Sequence, residues 1–225
     1  MPGRASVEVN VAVVASVSES PRHPYEIWAT MRERGHDRLL RTSATTVYDA
    51  ARRLERDGLL VVLDRQRVGR LPERTVYGPT REGTTFLQES VAGLLVDSVG
   101  DPHRFEVALS FMFALTRQVV RARLTQRIAV LDEQISDGRA RLDAARADAV
   151  PAVFLSEHEY HLAVLEADRR WVQSLVEFLG RPDASSWPPA PRRAAARVDP
   201  GTAAPSHPAP GREAAASKRR PEGST

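Results

Sequence analysis

The chain contains no cysteine. Disulfides and thiolate metal sites are excluded, and a reducing interior suits it. It also lacks any apolar run near the roughly 20 residues that a membrane span requires. The apolar stretch within MPGRASVEVNVAVVASVSES is interrupted by Glu8 and Asn10. No small-residue cleavage pattern follows it, so it reads as a structural helix rather than a secretory signal. A bacterial cytoplasmic location without a membrane partner is expected. No nucleophile elbow, phosphate-binding glycine loop or paired-carboxylate arrangement is present, and an enzyme is not expected. In Glu157-His158-Glu159-Tyr160-His161 the two histidines stand three apart, whereas a zincin helix spaces them four apart. No metal and no cofactor are expected. His158 suits a pH-responsive position at a helix seam better than it suits a metal site.

What is present is a soluble-protein composition of 225 residues, 42% of them hydrophobic, which allows one or two domains with a sizeable core. The net charge of +3 says little, but its distribution says more. From Arg38 to Arg74 there are nine arginines against five acids, which points to a polyanionic partner. On charge alone, a solvated charged face is an equal reading.

Val7 to Ser18 suits a first helix, although its valines also allow a strand. Pro24 suits the first turn of a second helix, which runs through Ile27, Trp28 and Met31 and stops near Gly35. Ser43 is an N-cap for a third helix that turns Val47, Ala51 and Leu54 inward. Asp57-Gly58 ends it. Leu59 to Leu63 and Thr75 to Tyr77 read as two short strands around a loop carrying Arg67, Arg70 and Arg74. Thr80 caps a fourth helix. A helix of groove-reading type followed by a basic hairpin is the order that a winged helix uses on duplex DNA.

From Phe105 to about Ala147 the composition favours one long helix without proline. Leu124, Ile128, Leu131, Ile135 and Leu142 follow a coiled-coil spacing, with Gly138 at the missing position. Pro151 ends the run. A second long helix spans roughly Leu155 to Leu179, with a seam of Leu155, His158, Leu162, Leu165, Val172, Val176 and Leu179. The two form an antiparallel hairpin, and its leftover apolar surface is most easily buried against a second copy. A charge introduced at Leu131 is expected to break that dimer. After Gly180 the chain turns rich in proline, alanine and arginine, and nine of the sixteen prolines lie from Pro182 onward. This composition reads as a disordered tail whose Lys218-Arg219-Arg220 cluster is most simply solvated.

The expected architecture is mainly α with a small β wing. A winged helix-turn-helix domain spans 1–95, a helical dimerisation domain 96–180 and a tail 181–225. His23-Pro24-Tyr25-Glu26-Ile27, Val47-Tyr48, Arg53-Leu54-Glu55-Arg56-Asp57-Gly58-Leu59-Leu60, Gly69-Arg70, Pro72-Glu73-Arg74-Thr75-Val76-Tyr77 and Thr80-Arg81-Glu82-Gly83 follow in order. Together they resemble the PadR family of bacterial transcriptional regulators over roughly residues 7–90. The helical hairpin is similar to the dimerisation region of the longer members. The resemblance implies a homodimer on a palindromic operator, acting as a repressor and released by a small-molecule effector, with aromatic compounds among those used by some members. Thr45, Thr46 and Val47 precede Tyr48 where members usually carry small residues, which implies a different preferred DNA sequence. Leu71 replaces an arginine or glycine in the wing.

The residues expected to touch double-stranded DNA are Ser43, Thr45, Thr46, Tyr48, Arg52 and Arg53 on the third helix and Arg67, Arg70 and Arg74 on the wing. Hydroxyls and guanidinium groups suit base edges and phosphates. Asp49 would repel phosphate and suits cytosine or an arginine partner. Arg52 and Arg53 point about 100° apart, so one faces DNA and the other packs or pairs. Leu124, Ile128, Leu131, Ile135, Leu162, Leu165 and Val172 are the dimerisation candidates. Trp28, Phe111 and Trp171 are candidates for an effector pocket, against the plainer reading that aromatics at helical spacing form core. Two other readings stay open. One is a coiled-coil adaptor whose winged helix binds protein, and the other is a metal-dependent hydrolase at His158 and His161.

Overall fold

The computed structural model describes residues 6–66, 74–181 and 187. The element order is α1 (Val7–Glu19), α2 (Pro24–Glu33), α3 (His36–Leu39), α4 (Ala44–Arg56), β1 (Leu60–Gln66), β2 (Arg74–Pro79), α5 (Arg81–Asp97), α6 (Pro102–Phe111), α7 (Arg117–Ala147) and α8 (Ser156–Gly180). The fold is mainly helical with a two-stranded wing. The valine-rich start is a helix, capped by Ser6, and Val11 to Val17 are buried on every side. That explains why it shows no polar face. The His23 side chain accepts from the Tyr25 backbone and the Glu26 carboxylate accepts from the His23 backbone, so the first turn of α2 is closed at Pro24. Gly58 takes φ +75° just beyond α4, the left-handed conformation that stops the helix.

β1 and β2 are antiparallel, with Leu60 opposite Pro79 and Gln66 opposite Arg74, and a bulge between Val62 and Asp64. The backbone of Arg22 adds a bridge to Tyr77 and ties the wing to the entrance of α2. Thr80 caps α5 by accepting from the Gly83 backbone. Gly83 lies so close to the end of α4 that a Cβ there would stand 2.0 Å from the Leu59 carbonyl oxygen.

The uninterrupted helix expected from Phe105 to Ala147 is instead two helices. A 3-10 turn at Met112–Ala114 separates them, and Thr116 caps α7 by accepting from the Val119 backbone. The break lets Phe111, Ala114 and Leu115 turn into the core. α7 and α8 pack as the expected antiparallel hairpin. The boundary expected near residue 95 falls inside a shared core, because one apolar cluster runs from Val9 through Leu54, Leu95 and Phe105 to Leu124, Val172 and Leu179. All of the described residues belong to one compact unit.

The hairpin consumes the seam that the sequence assigned to a dimer. Leu124, Leu131, Ile135, Leu165 and Val172 are buried within the single chain, and Ile128 and Leu162 are half-buried against them. The five buried ones leave no side-chain surface for a second copy to meet. A charge at Leu131, which is fully buried, would break the hairpin itself. His158 is not in the seam but exposed beside Glu157. α8 starts at Ser156, and its inward face begins with Leu162.

One charge is buried at the centre of this packing. Arg127 of α7 is 1% exposed. Its guanidinium stacks 3.8 Å over the Phe105 ring of α6. It donates to the Ser98 hydroxyl at the end of α5 (3.0 Å) and to the Asp168 carboxylate of α8 (2.6 Å). Four helices thus meet on one side chain. The tail expected over 181–225 lies outside the described residues, apart from Arg181 and Trp187. The Trp187 indole donates to the Leu115 carbonyl at 3.0 Å.

Candidate nucleic-acid interface

α2, α3 and α4 form the helix-turn-helix, and α4 is its second long helix. Ser43 starts α4 by accepting from the Thr46 backbone at 3.3 Å, and its hydroxyl shares a 3.0 Å hydrogen bond with the Thr46 hydroxyl. Both residues are occupied at the cap, although Ser43 remains exposed. Val47, Ala50, Ala51 and Leu54 face the core. The opposite face presents Thr45, Asp49, Arg52 and Arg56, all exposed and spaced four, three and four apart. This is one continuous polar stripe about 16 Å long at 1.5 Å per residue, the length of a recognition surface for a major groove.

Arg52 and Arg53 divide as their angular separation requires. Arg52 is exposed on the stripe, whereas Arg53 is half-buried and donates to the Asn10 side chain of α1 at 2.8 Å. Arg53 therefore holds α4 against α1. Tyr48 is half-buried at the edge of the stripe, with its ring edge-on to His23 at 5.8 Å. The spacing that exposes Thr45 and Arg52 also exposes Arg56, which the sequence reading passed over. Arg41, exposed at φ +45° in the turn before α4, was likewise missed. Nothing local marks it, because its placement follows from the α3–α4 turn.

The wing stands beside this stripe. Tyr77 of β2 donates to the Glu55 carboxylate of α4 at 2.9 Å, and Arg65 of β1 pairs with the other oxygen of Glu55 at 3.6 Å. Burial, followed by that hydrogen bond, pushes the Tyr77 phenol up to about 12. This fixes the wing to α4 and leaves Arg65 as an exposed cation at its base. Arg67 and Arg70 lie outside the described residues, and of Arg74 only the backbone, paired with Gln66, is described.

The aromatic residues expected to share an effector pocket do not gather. Trp28 lines a hollow of about 590 Å³ on the helix-turn-helix with Tyr25, Arg32 and Arg38. Trp171 lines a separate hollow of about 570 Å³ between α6 and α8 with Phe105, Leu109 and Val164. Phe111 is buried against His36 at 4.9 Å and Phe113 at 6.3 Å. Burial, aided by Arg34, holds the His36 imidazole below its usual range. His161 edges the Trp171 hollow, and His158 lies three residues away at the exposed start of α8. Among the described residues no helix is long and apolar enough to cross a membrane.

Residues 13–89 match the model of the transcriptional regulator PadR-like family. That segment runs from α1 through the wing into α5 and contains the whole stripe. A search of the curated proteins finds no match. Among solved structures, the chain is similar to Bacillus subtilis PadR in complex with operator DNA, at 15% identity and TM-score 0.31, covering 76% of this chain and 98% of that one. It is similar to the same protein in complex with p-coumaric acid, at 14% identity and TM-score 0.32, covering 77% and 99%. It is also similar to smu.1604c from Streptococcus mutans UA159, at 16% identity and TM-score 0.30, covering 77% and 99%.

Proposed function

We propose, for a chain that belongs through residues 13–89 to the transcriptional regulator PadR-like family, a homodimeric regulator that binds a palindromic stretch of duplex DNA and acts as a repressor. The observation that carries this reading is the exposed stripe of Thr45, Asp49, Arg52 and Arg56 on α4, next to the β1–β2 pair with exposed Arg65 at its base. A guanidinium on such a stripe reads guanine bidentately, a threonine offers a hydroxyl and a methyl to base edges, and Asp49 accepts from a cytosine amine. Arg41 at the start of α4 and Arg65 at the base of the wing suit phosphates on either side of the groove, which set register rather than sequence. Two copies related by a two-fold axis present two such stripes, and this favours an inverted-repeat operator.

We place the release of DNA in the hands of a small aromatic effector. The two aromatic-edged hollows, at Trp28 and at Trp171, are of the size that takes a small molecule.

The test is selection of genomic DNA fragments by the purified chain, followed by binding to the recovered sequence across a salt series. The reading expects one recurrent inverted repeat, with affinity falling as salt rises. Equal capture of every duplex, or no capture at low salt, contradicts it. Binding of a protein partner that survives Arg52→Ala while DNA is ignored would favour an adaptor.

A further inference from the structure

The two hollows differ in the charge of their walls. At Trp28, Arg32 and Arg38 stand against Glu33 and Asp37, so that hollow favours neither sign. The hollow of about 570 Å³ between α6 and α8 is one-sided. Phe105, Leu109, Val164 and Trp171 give it apolar walls, and Glu106 and Asp168 bring two carboxylates. Among the described residues no lysine or arginine lines it. The Trp171 ring stands edge-on to Phe105 at 6.0 Å and remains 50% exposed. A half-exposed indole beside a carboxylate suits an organic cation, which the ring face and the charge attract together. An aromatic acid would meet two carboxylates with no cation to offset them, and its desolvation there would be costly.

Asp168 is the anchor of this chemistry. Its side chain is only 19% exposed. Arg127 donates to one of its oxygens, Oδ2, at 2.6 Å. The other, Oδ1, has no hydrogen-bond partner among the described residues. A carboxylate offers about four acceptor positions, so it can take a second donor beside the first.

We propose that this hollow binds a small organic amine in its ammonium form, carried on an aromatic body. The ammonium donates to Asp168, and the body lies against Trp171 and Leu109. This rests on the effector reading above and names the class of the ligand and its site. The ligand and Arg127 then share one carboxylate. Occupancy weakens the hold of Asp168 on the side chain that joins α7 to Ser98 of α5 and Phe105 of α6. α5 follows β2 directly, so the loosened junction is one helix away from the wing.

Phenethylamine, phenethyl alcohol and hydrocinnamate carry one phenethyl body with a positive, a neutral and a negative head. Each is titrated into the full chain while the indole N–H signals of its three tryptophans are followed by nitrogen-correlated NMR. The Trp171 signal is the one lost in Trp171→Phe. The amine is expected to shift that signal to saturation with the Trp28 signal unmoved, and to bind at least about tenfold more tightly than hydrocinnamate. Arg127→Met should tighten amine binding about threefold or more, because the rival cation is gone. In Arg127→Met/Asp168→Asn, which leaves no unpaired buried charge, the advantage of the amine over the alcohol should disappear. Hydrocinnamate binding as tightly as the amine, a shift at Trp28 instead of Trp171, unchanged amine affinity in Arg127→Met, or an amine advantage that survives in the double variant would each overturn the proposal. An amine that binds at Trp171 without releasing DNA would support it and remove the effector reading. An acid that releases DNA from the Trp28 hollow, with the amine inert, would overturn it and leave the effector reading standing.

Discussion

The ion pair of Arg127 with Asp168 should be far more costly to break from one side than from the other. The Arg127 side chain is 1% exposed, whereas that of Asp168 is 19% exposed. Asp168→Ala leaves a guanidinium inside the core with Ser98 as its remaining hydrogen-bond partner. Breaking a buried pair in this way costs about 3–5 kcal/mol. Arg127→Met removes the charge but keeps a flexible stem over the Phe105 ring. The Asp168 carboxylate can then turn to water, and the loss is the hydrogen bonds to Ser98 and Asp168, about 1–2 kcal/mol. The double change Arg127→Met/Asp168→Ala removes both charges and should cost less than Asp168→Ala alone, giving a coupling of about 2 kcal/mol or more. Urea unfolding followed by helix circular dichroism measures each value, provided the slope stays constant so that the midpoint reports stability. The reasoning fails if Arg127→Met is the more damaging single change, or if the two single effects simply add.

Four further outcomes are expected. Gly83→Ala should lower stability by about 1–3 kcal/mol in thermal melting, since its Cβ would meet the Leu59 carbonyl at 2.0 Å; a neutral result would mean that α5 can shift off α4. Arg52→Ala should leave the melting point in place and weaken DNA binding. It should also lower the salt slope by about 0.9 if its target is a phosphate. Arg53→Ala should instead cost about 1 kcal/mol of stability through the lost bond to Asn10, and the reverse pattern would refute the division of these two arginines. Tyr77 has its phenol pushed up to about 12. A raised folded value stabilises the protein fully below the ordinary tyrosine range and loses that contribution as pH climbs from about 10 towards 12. Ultraviolet titration should show one of the four tyrosines ionising last, and Tyr77→Phe should remove that step.

Features that depend on a few neighbouring residues were legible before the fold was known. Ser43, Thr80, Pro24 and Gly58 cap, start or stop helices where the sequence placed them, because the hydrogen bonds involved are local. The break at Met112–Ala114 was not foreseen, since no proline marks it and the signal, a threonine N-cap at Thr116, is common. Periodicity alone could not tell whether the Leu124 to Leu142 line is satisfied within the chain or by a second copy. That depends on α5 and α8, which lie far away in sequence. For the same reason Arg127 read as an ordinary charged position in a long helix. On α4, spacing narrowed the groove-facing arginine to Arg52 or Arg53. The choice came from Asn10, 43 residues earlier.

In the function proposed above, two copies of α4 read the two halves of one DNA site. Hydroxyl-radical footprinting of the full chain on the selected fragment tests it most directly. Two protected patches are expected, symmetric about the centre of an inverted repeat and about one helical turn, or a whole number of turns, apart. Both patches should vanish together in Arg52→Ala at limiting protein. A single unsymmetrical patch, or uniform protection along the fragment, would contradict it.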